Sequence, residues 1–282
     1  MRRRTAGAPM DLIVFDLDGT LLDASSRISD YTRETLGLLA ERDVLYTVAT
    51  GRALHAARDI LDGHGFRLPQ AYKNGVLIWH PETSAYSRHA FLTNGEIRHI
   101  VEAVLRQGVT PFLSTLEPGG AHGIYHTPLR STVEHDLAAE FRSRGDVTLR
   151  PAAEMPADAE ITSISAIGPA RAIEAVEGLV ADEPDLVAYA GPALEGQGLM
   201  WMDIHHVDGS KGGAVEVLKR ELGVDRVVCF GDGDNDLSMF AVADEAYAPA
   251  NARAEVRAAA AAVIGHHDQD GIARFLRERF DL

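Results

Sequence analysis

Asp11-Leu12-Ile13-Val14-Phe15-Asp16-Leu17-Asp18-Gly19-Thr20 changes character at a single residue. From Leu12 to Phe15 it is unbroken apolar chain; from Asp16 it is acidic, polar and interrupted by glycine. An apolar run with no polar face reads as a strand covered on both sides, as the strands of a parallel sheet are. The polar stretch then lies at the carboxyl end of that strand, where open α/β sheets bind their ligands.

Working outward, the same rhythm repeats. Ser29 or Asp30 caps a helix through about Arg42, Val44 to Ala49 is a second apolar strand, and a helix follows Thr50-Gly51-Arg52 as far as Leu61. Near the end, Ser210 caps a helix that Gly223 stops, Val227 to Phe230 is a strand, and Gly231-Asp232-Gly233-Asp234-Asn235-Asp236 follows it. Ala254 to Ala260 and Asp270 to Arg279 read as further helices, and the alanine cluster Ala258 to Ala262 is most simply helix. Strand, helix, strand, helix implies an α/β fold: a doubly wound parallel sheet with right-handed crossovers. Between the two halves the texture changes. Strand-like runs (Ile161 to Ile167, Leu186 to Tyr189) mix with helix-like ones (Glu96 to Arg106, Val133 to Phe141, Ala170 to Val180). This is a second α/β unit inserted into the first. The expected division is a disordered tail over 1–9, a core from 10–82 and 200–282, and an inserted domain over 83–199.

Composition narrows the partners. Against 27 Lys+Arg stand 42 Asp+Glu, a net charge of −15, which argues against binding a nucleic-acid backbone or an anionic membrane. No apolar window is long enough to span a bilayer, and the basic start Arg2-Arg3-Arg4 lacks the apolar stretch of a secretory signal. The expected location is the cytoplasm. Cys229 is the only cysteine and lies in an apolar strand, so it reads as a buried core thiol, with no disulfide and no thiolate metal site. Only Lys73, Lys211 and Lys219 are lysines, the other 24 basic residues being arginines. In such a chain a lysine can mark a place that needs a compact point charge.

The chemistry gathers at one sheet edge. The first strand delivers Asp16 and Asp18, the second Thr50, Gly51 and Arg52, a helix start Lys211, and the late strand Asp232, Asn235 and Asp236. Four carboxylates converging there would repel without a counter-ion. A hard cation bound by oxygen resolves this, and Mg²⁺ held by carboxylates with a phosphate is the natural case. Lys211 and the Thr50 hydroxyl then supply donors to the remaining phosphate oxygens. Two other readings fail on spacing. A calcium loop counted from Asp232 has Leu237 at its sixth place and Ala243 at its twelfth; counted from Asp16 it has Leu21 and Arg27. Gly209-Ser210-Lys211-Gly212 lacks the upstream glycine of a P-loop.

Taken in order, Asp16-Leu17-Asp18-Gly19-Thr20-Leu21-Leu22, Thr50-Gly51-Arg52, Lys211-Gly212 and Gly231-Asp232 with Asn235-Asp236 resemble the four motifs of the haloacid dehalogenase superfamily. The Thr-Gly-Arg form, Asn74-Gly75 and the long insertion are most similar to its Cof-type phosphatases. The resemblance implies a Rossmann-like core with an inserted α/β cap and Mg²⁺-dependent hydrolysis of a small phosphorylated metabolite, a sugar phosphate or a phosphorylated cofactor. It implies Asp16 as nucleophile and Asp18 as acid and then base. Thr50 and Lys211 would hold the phosphate, with Asn235 contacting it or orienting Lys211. Asp16, the Asp18 backbone carbonyl and Asp232 would bind the metal, with Asp236 beside them. The carboxylate at Asp18 favours hydrolysis over a persistent phosphoenzyme. A phosphomutase or phosphotransferase on the same core, and a non-catalytic sensor of phosphorylated ligands, remain as alternatives.

Other residues have two readings each. Arg52 either reaches a second anionic group or is solvated. His205-His206 and His266-His267-Asp268 suggest a transition-metal site or surface and loop polarity, and neither pair has a third ligand placed near it. His122, read on a flexible loop of the inserted domain, either touches substrate or does not. Trp79 and Trp201 read as packing near the junctions, and Lys73 and Lys219 as solvated.

Overall fold

A computed structural model describes residues 10–88, 90–143, 147–193, 196 and 198–282. The tail expected over 1–9 lies outside the described residues. Along the chain come β1 (Asp11–Phe15), α1 (Asp30–Glu41), β2 (Leu45–Val48), α2 (Leu54–Leu61), β3 (Gln70–Tyr72), β4 (Leu77–His80) and β5 (Ala85–Arg88). Then follow α3 (Asn94–Arg106), β6 (Phe112–Leu116), β7 (His122–His126), α4 (Thr132–Ser143), β8 (Val147–Pro151), β9 (Glu160–Pro169) and α5 (Ala170–Val180). Next are β10 (Leu186–Pro192), β11 (Leu199–His206), α6 (Lys211–Leu222), β12 (Arg226–Phe230), α7 (Leu237–Val242) and β13 (Glu245–Pro249). The chain ends with α8 (Ala254–Ala259), β14 (Ala262–Ile264) and α9 (Gly271–Phe280).

The core sheet has five strands in the order β14-β13-β12-β1-β2, every pairing parallel. In β1 the side chains alternate between two buried faces. Leu12 and Val14 pack with Val227, Cys229, Ala214, Leu218 and Met239 on one side. On the other, Phe15 meets Phe230, and Phe230 and Tyr247 carry Phe275 of α9. That is why β1 has no polar alternation. The caps fall where the sequence places them. The Ser29 hydroxyl accepts from Thr32 N at 3.0 Å, the Ser210 hydroxyl accepts from Gly213 N at 3.1 Å, and Gly223 ends α6 at φ 62°. Burial holds the Cys229 thiol above its ordinary value.

Two expectations change. The alanine cluster is not one helix: α8 stops at Ala259, and Ala262 begins β14, which pairs with β13 from Tyr247↔Ala262 onward. Sheet pairing overrides alanine's helix preference there. The chain also divides later than 83 and 199. One compact unit runs through Ser87 and resumes at Ser210–Leu282, and the other is Arg88–Gly209. The reason is strand pairing. Leu199–His206 is a strand of the inserted sheet, antiparallel to both β9 and β10, while β5 closes a small sheet with β3 and β4.

The inserted unit has a six-stranded sheet, β10-β11-β9-β6-β7-β8, antiparallel except between β7 and β8. Helices α3 and α5 bury Ile97, Ile100, Val104, Ile173 and Val176 on one face, and α4 covers Phe112 and Ile124. His122 is not on a flexible loop; it starts β7 in register with Leu116. His205 is buried in β11 rather than a surface polar group. Among the described residues no helix is long and apolar enough to cross a membrane.

One polar cluster ties the core sheet to its last helix. Glu245, opening β13, accepts from Arg279 Nη1 at 2.6 Å and Nη2 at 3.0 Å, and from Tyr247 and Arg226. The Arg279 bonds, then Tyr247, hold the Glu245 carboxyl at about 2 against an ordinary 4.5. A folded value below the unfolded one stabilises the fold above about pH 4.5, and this is lost as pH falls toward about 2. Glu245→Gln should therefore lower stability at neutral pH by about 1–2 kcal/mol. Denaturant melts should show the gap to wild type closing on acidification; a gap independent of pH contradicts the assignment.

Candidate active site

The site is built on the carboxyl ends of β1 and β12. Asp16 leaves β1 with its N–H bonded to Phe230 O at 2.9 Å, which pins it against the neighbouring strand. Its side chain is 9% exposed. Lys211, fully buried at the start of α6, donates from Nζ to Asp16 Oδ1 and to Asp236 Oδ1, each at 2.6 Å. Asp236 in turn accepts from the N–H groups of Asp232 and Gly233, both at 2.8 Å. Thr20 Oγ1 donates to Asp232 Oδ1 at 3.1 Å. Glycine is needed where these parts crowd. Gly19 sits at φ +72°, and a Cβ there would come within 2.3 Å of Asp232 Oδ2.

The electrostatics follow from burial. Asp16, Asp232 and Asp236 each offer a carboxylate oxygen, all within 4.8 Å of one another. Burial pushes the Asp16 carboxyl up to about 8, with Lys211 opposing and Asp236 and Asp232 adding to the rise. Burial and then Asp236 push Asp232 up to about 6. Burial acts to lower the Lys211 ammonium, but Asp16 and Asp236 more than offset it and hold it above its ordinary value. With all three ionised, three carboxylates against one ammonium would leave two negative charges unanswered, which adds to the burial that holds the Asp16 carboxyl so high. That donor set, all oxygen and short of positive charge, suits a hard divalent cation.

The second strand's loop sits beside this cluster. Thr50 is buried, and its Oγ1 accepts from Arg52 N at 3.1 Å. Its carbonyl accepts from Asn74 N at 2.9 Å, and Asn74 Oδ1 accepts from Asn235 Nδ2 at 2.9 Å. Gly51 faces Asn74, whose Oδ1 would lie 3.1 Å from a Cβ at that place. Asn235 bonds Asn74, so Lys211 is oriented by the two aspartates instead. Arg52 is neither solvated nor free. Its Nε and Nη2 form a fork on Asp18, at 2.6 and 2.5 Å, and its Nη1 reaches Ala56 O. The Asp18 side chain is about half exposed and lies outside the three-carboxylate group.

The structure also brings in residues that the motifs do not contain. Asn251, past β13, donates from Nδ2 to Gly19 O at 2.7 Å and accepts from His267 N at 3.1 Å. His267 Nδ1 is 2.7 Å from Leu22 O and must carry the proton, because a carbonyl only accepts. Asp268 accepts from Ala24 N at 3.0 Å, and Asp270 from the Ser29 hydroxyl at 2.5 Å. Residues 267–270 thus strap down the loop that carries Asp16, Asp18 and Thr20. Of the histidine pair that suggested a metal site, His267 braces that loop, while His266 accepts from Asp268 N within its own turn. The sequence signal was an asparagine just beyond a strand's carboxyl end, at Asn251.

Comparison with known proteins agrees with this geometry. Residues 13–276 match the family model for haloacid dehalogenase-like hydrolases, so the chain belongs to that family and is an enzyme of its hydrolase type. It is 26% identical over 280 residues to the 5-amino-6-(5-phospho-D-ribitylamino)uracil phosphatase YitU of Bacillus subtilis, covering 96% of this chain and 98% of that one. It is 25% identical over 278 residues to the pyridoxal phosphate phosphatase YbhA of Escherichia coli, covering 94% and 97%. Among solved structures, BT1666 of Bacteroides thetaiotaomicron shares the fold at a TM-score of 0.78 and 19% identity, covering 100% and 99%.

The brace gives a test. His267→Ala should lower turnover roughly fivefold to tenfold through a misplaced loop. His267→Asn, whose amide N–H occupies the place of Nδ1–H, should restore it, and His267→Gln should not. Equal loss in all three variants would mean that His267 only packs.

Proposed function

We propose that the chain is a Mg²⁺-dependent phosphatase acting on a small phosphomonoester, with Asp16 as nucleophile. The observation that carries this is the buried Lys211 ammonium bridging Asp16 and Asp236, with Asp232 in the same cluster. In this reading Asp16, Asp232, Asp236 and the Asp18 backbone carbonyl would hold Mg²⁺. When bound, Mg²⁺ supplies positive charge that lowers the Asp16 carboxyl from about 8 and offsets the phosphoryl oxygens.

The side chains divide the rest. A carboxylate oxygen of Asp16 attacks phosphorus in line, the Asp16 O–P bond forms, and the P–O bond to the alcohol breaks. Asp18 gives that alcohol its proton. Asp18 then takes a proton from water, whose oxygen attacks phosphorus and releases Asp16 and inorganic phosphate. Lys211 keeps Asp16 aimed and balances charge throughout, and Thr50 bonds a phosphoryl oxygen. The fork from Arg52 holds Asp18 at the mouth of the site, so we assign Arg52 to positioning Asp18 rather than to binding substrate. The two full-length relatives are named for small phosphorylated compounds. We assign this chain a substrate of that general class, a sugar phosphate or a phosphorylated cofactor.

Turnover of para-nitrophenyl phosphate tests these roles. Asp16→Asn should abolish it, and Asp18→Asn should cost about 10²–10⁴-fold. Chelation should stop turnover and Mg²⁺ restore it. Arg52→Lys should lower kcat by about tenfold with KM little changed; a raised KM at unchanged kcat would make Arg52 a substrate ligand. Wild-type turnover by Asp16→Asn would overturn the proposal.

A further inference from the structure

A cavity of about 520 Å³ lies in the core unit between α2, the loop after it, and strands β3 and β4. None of the nine residues assigned to the active site lines it. Its volume is that of a small-molecule site. Phe66 and Trp79 give it aromatic walls, and the Trp79 ring is fixed edge-on against Tyr86 at 5.0 Å. Trp79 is thus a wall of a cavity as well as packing.

The polar groups are specific. Arg58 and Arg67 line the cavity, both exposed, and neither has an ion-pair partner among the described residues. What sets these two apart is their place: both guanidinium groups stand at the opening of one cavity, with no carboxylate among the described residues bonded to either. One carboxylate, Asp62, also lines it, leaving a single surplus positive charge. At the floor, buried Tyr72 donates its hydroxyl to Gln70 Oε1 at 2.5 Å, and Gln70 Nε2 donates to Phe66 O at 3.0 Å. That leaves the second amide hydrogen of Gln70, a residue 5% exposed, without a partner among the described residues. A buried donor lining a cavity calls for an acceptor from whatever fills it.

We infer that this cavity binds a planar aromatic carboxylate. Phe66 and Trp79 offer aromatic surface to a planar ring, and the guanidinium forks of Arg58 and Arg67 match a carboxylate. A surplus of one positive charge suits a monoanion better than a phosphate dianion. A ring oxygen on the ligand would satisfy Gln70.

Calorimetry on the full chain with 6-hydroxy-2-naphthoate and its uncharged amide tests this without a phosphate that could occupy the Asp16 site. The acid should bind saturably, at least about tenfold more tightly than the amide. Arg58→Ala with Arg67→Ala should remove that preference while leaving aryl phosphate turnover unchanged, since neither residue belongs to the catalytic cluster. Inorganic phosphate should not displace the probe. Four results would each overturn the site: no saturable heat, equal binding of acid and amide, a preference that survives in the double variant, or displacement by phosphate. None of them bears on the phosphatase reading.

Discussion

A fully buried ammonium shared by two carboxylates is the constraint on which the rest of this site depends. Lys211 cannot be desolvated unless Asp16 and Asp236 meet it at hydrogen-bond distance, and they do so at 2.6 Å each. Those distances require the ends of β1 and β12 to lie side by side, with α6 starting directly behind them. They also require small residues at the crossings. At Gly231, as at Gly19, a Cβ would strike an aspartate, here Asp236 at 2.4 Å. Gly19 and Gly231 are therefore consequences of the charge cluster.

The cluster is deliberately short of positive charge. A carboxyl at about 8 is mostly protonated at neutral pH, so the chain alone does not hold Asp16 ionised, while Asp232 at about 6 is an anion there. In the proposed reaction that deficit is what makes the site receptive to a divalent cation. Around it, hydrogen bonds from distant parts of the chain hold the loops. Asn251 and His267 brace the first loop, and Asn74 with Asn235 links the second loop to the last.

Much of this was legible in the sequence because it is local or periodic. The apolar run before Asp16, the Ser210 cap and the Gly223 stop each act through neighbours a few residues away, and all three sit where the pattern puts them. The four motifs named the residues of the cluster. What escaped were contacts without periodicity. The fork of Arg52 on Asp18 and the grip of His267 on Leu22 O join residues far apart through a few side-chain atoms, and no spacing announces them. The strand Leu199–His206 was placed with the core because its apolar texture fits either sheet; only pairing with β9 and β10 decides it. At Ala262 the local preference for helix was outvoted by pairing with Tyr247.

The central claim is that the group at the heart of the cluster, Asp16, takes the phosphoryl group itself. Rapid acid quenching of the Mg²⁺-loaded enzyme with a phosphorus-labelled aryl phosphate, followed by peptide mapping, tests this most directly. Label is expected on the peptide containing Asp16, chased into inorganic phosphate by unlabelled substrate and accumulating further in Asp18→Asn. Label found only as free phosphate during active turnover, with none on the protein in either form, would contradict it.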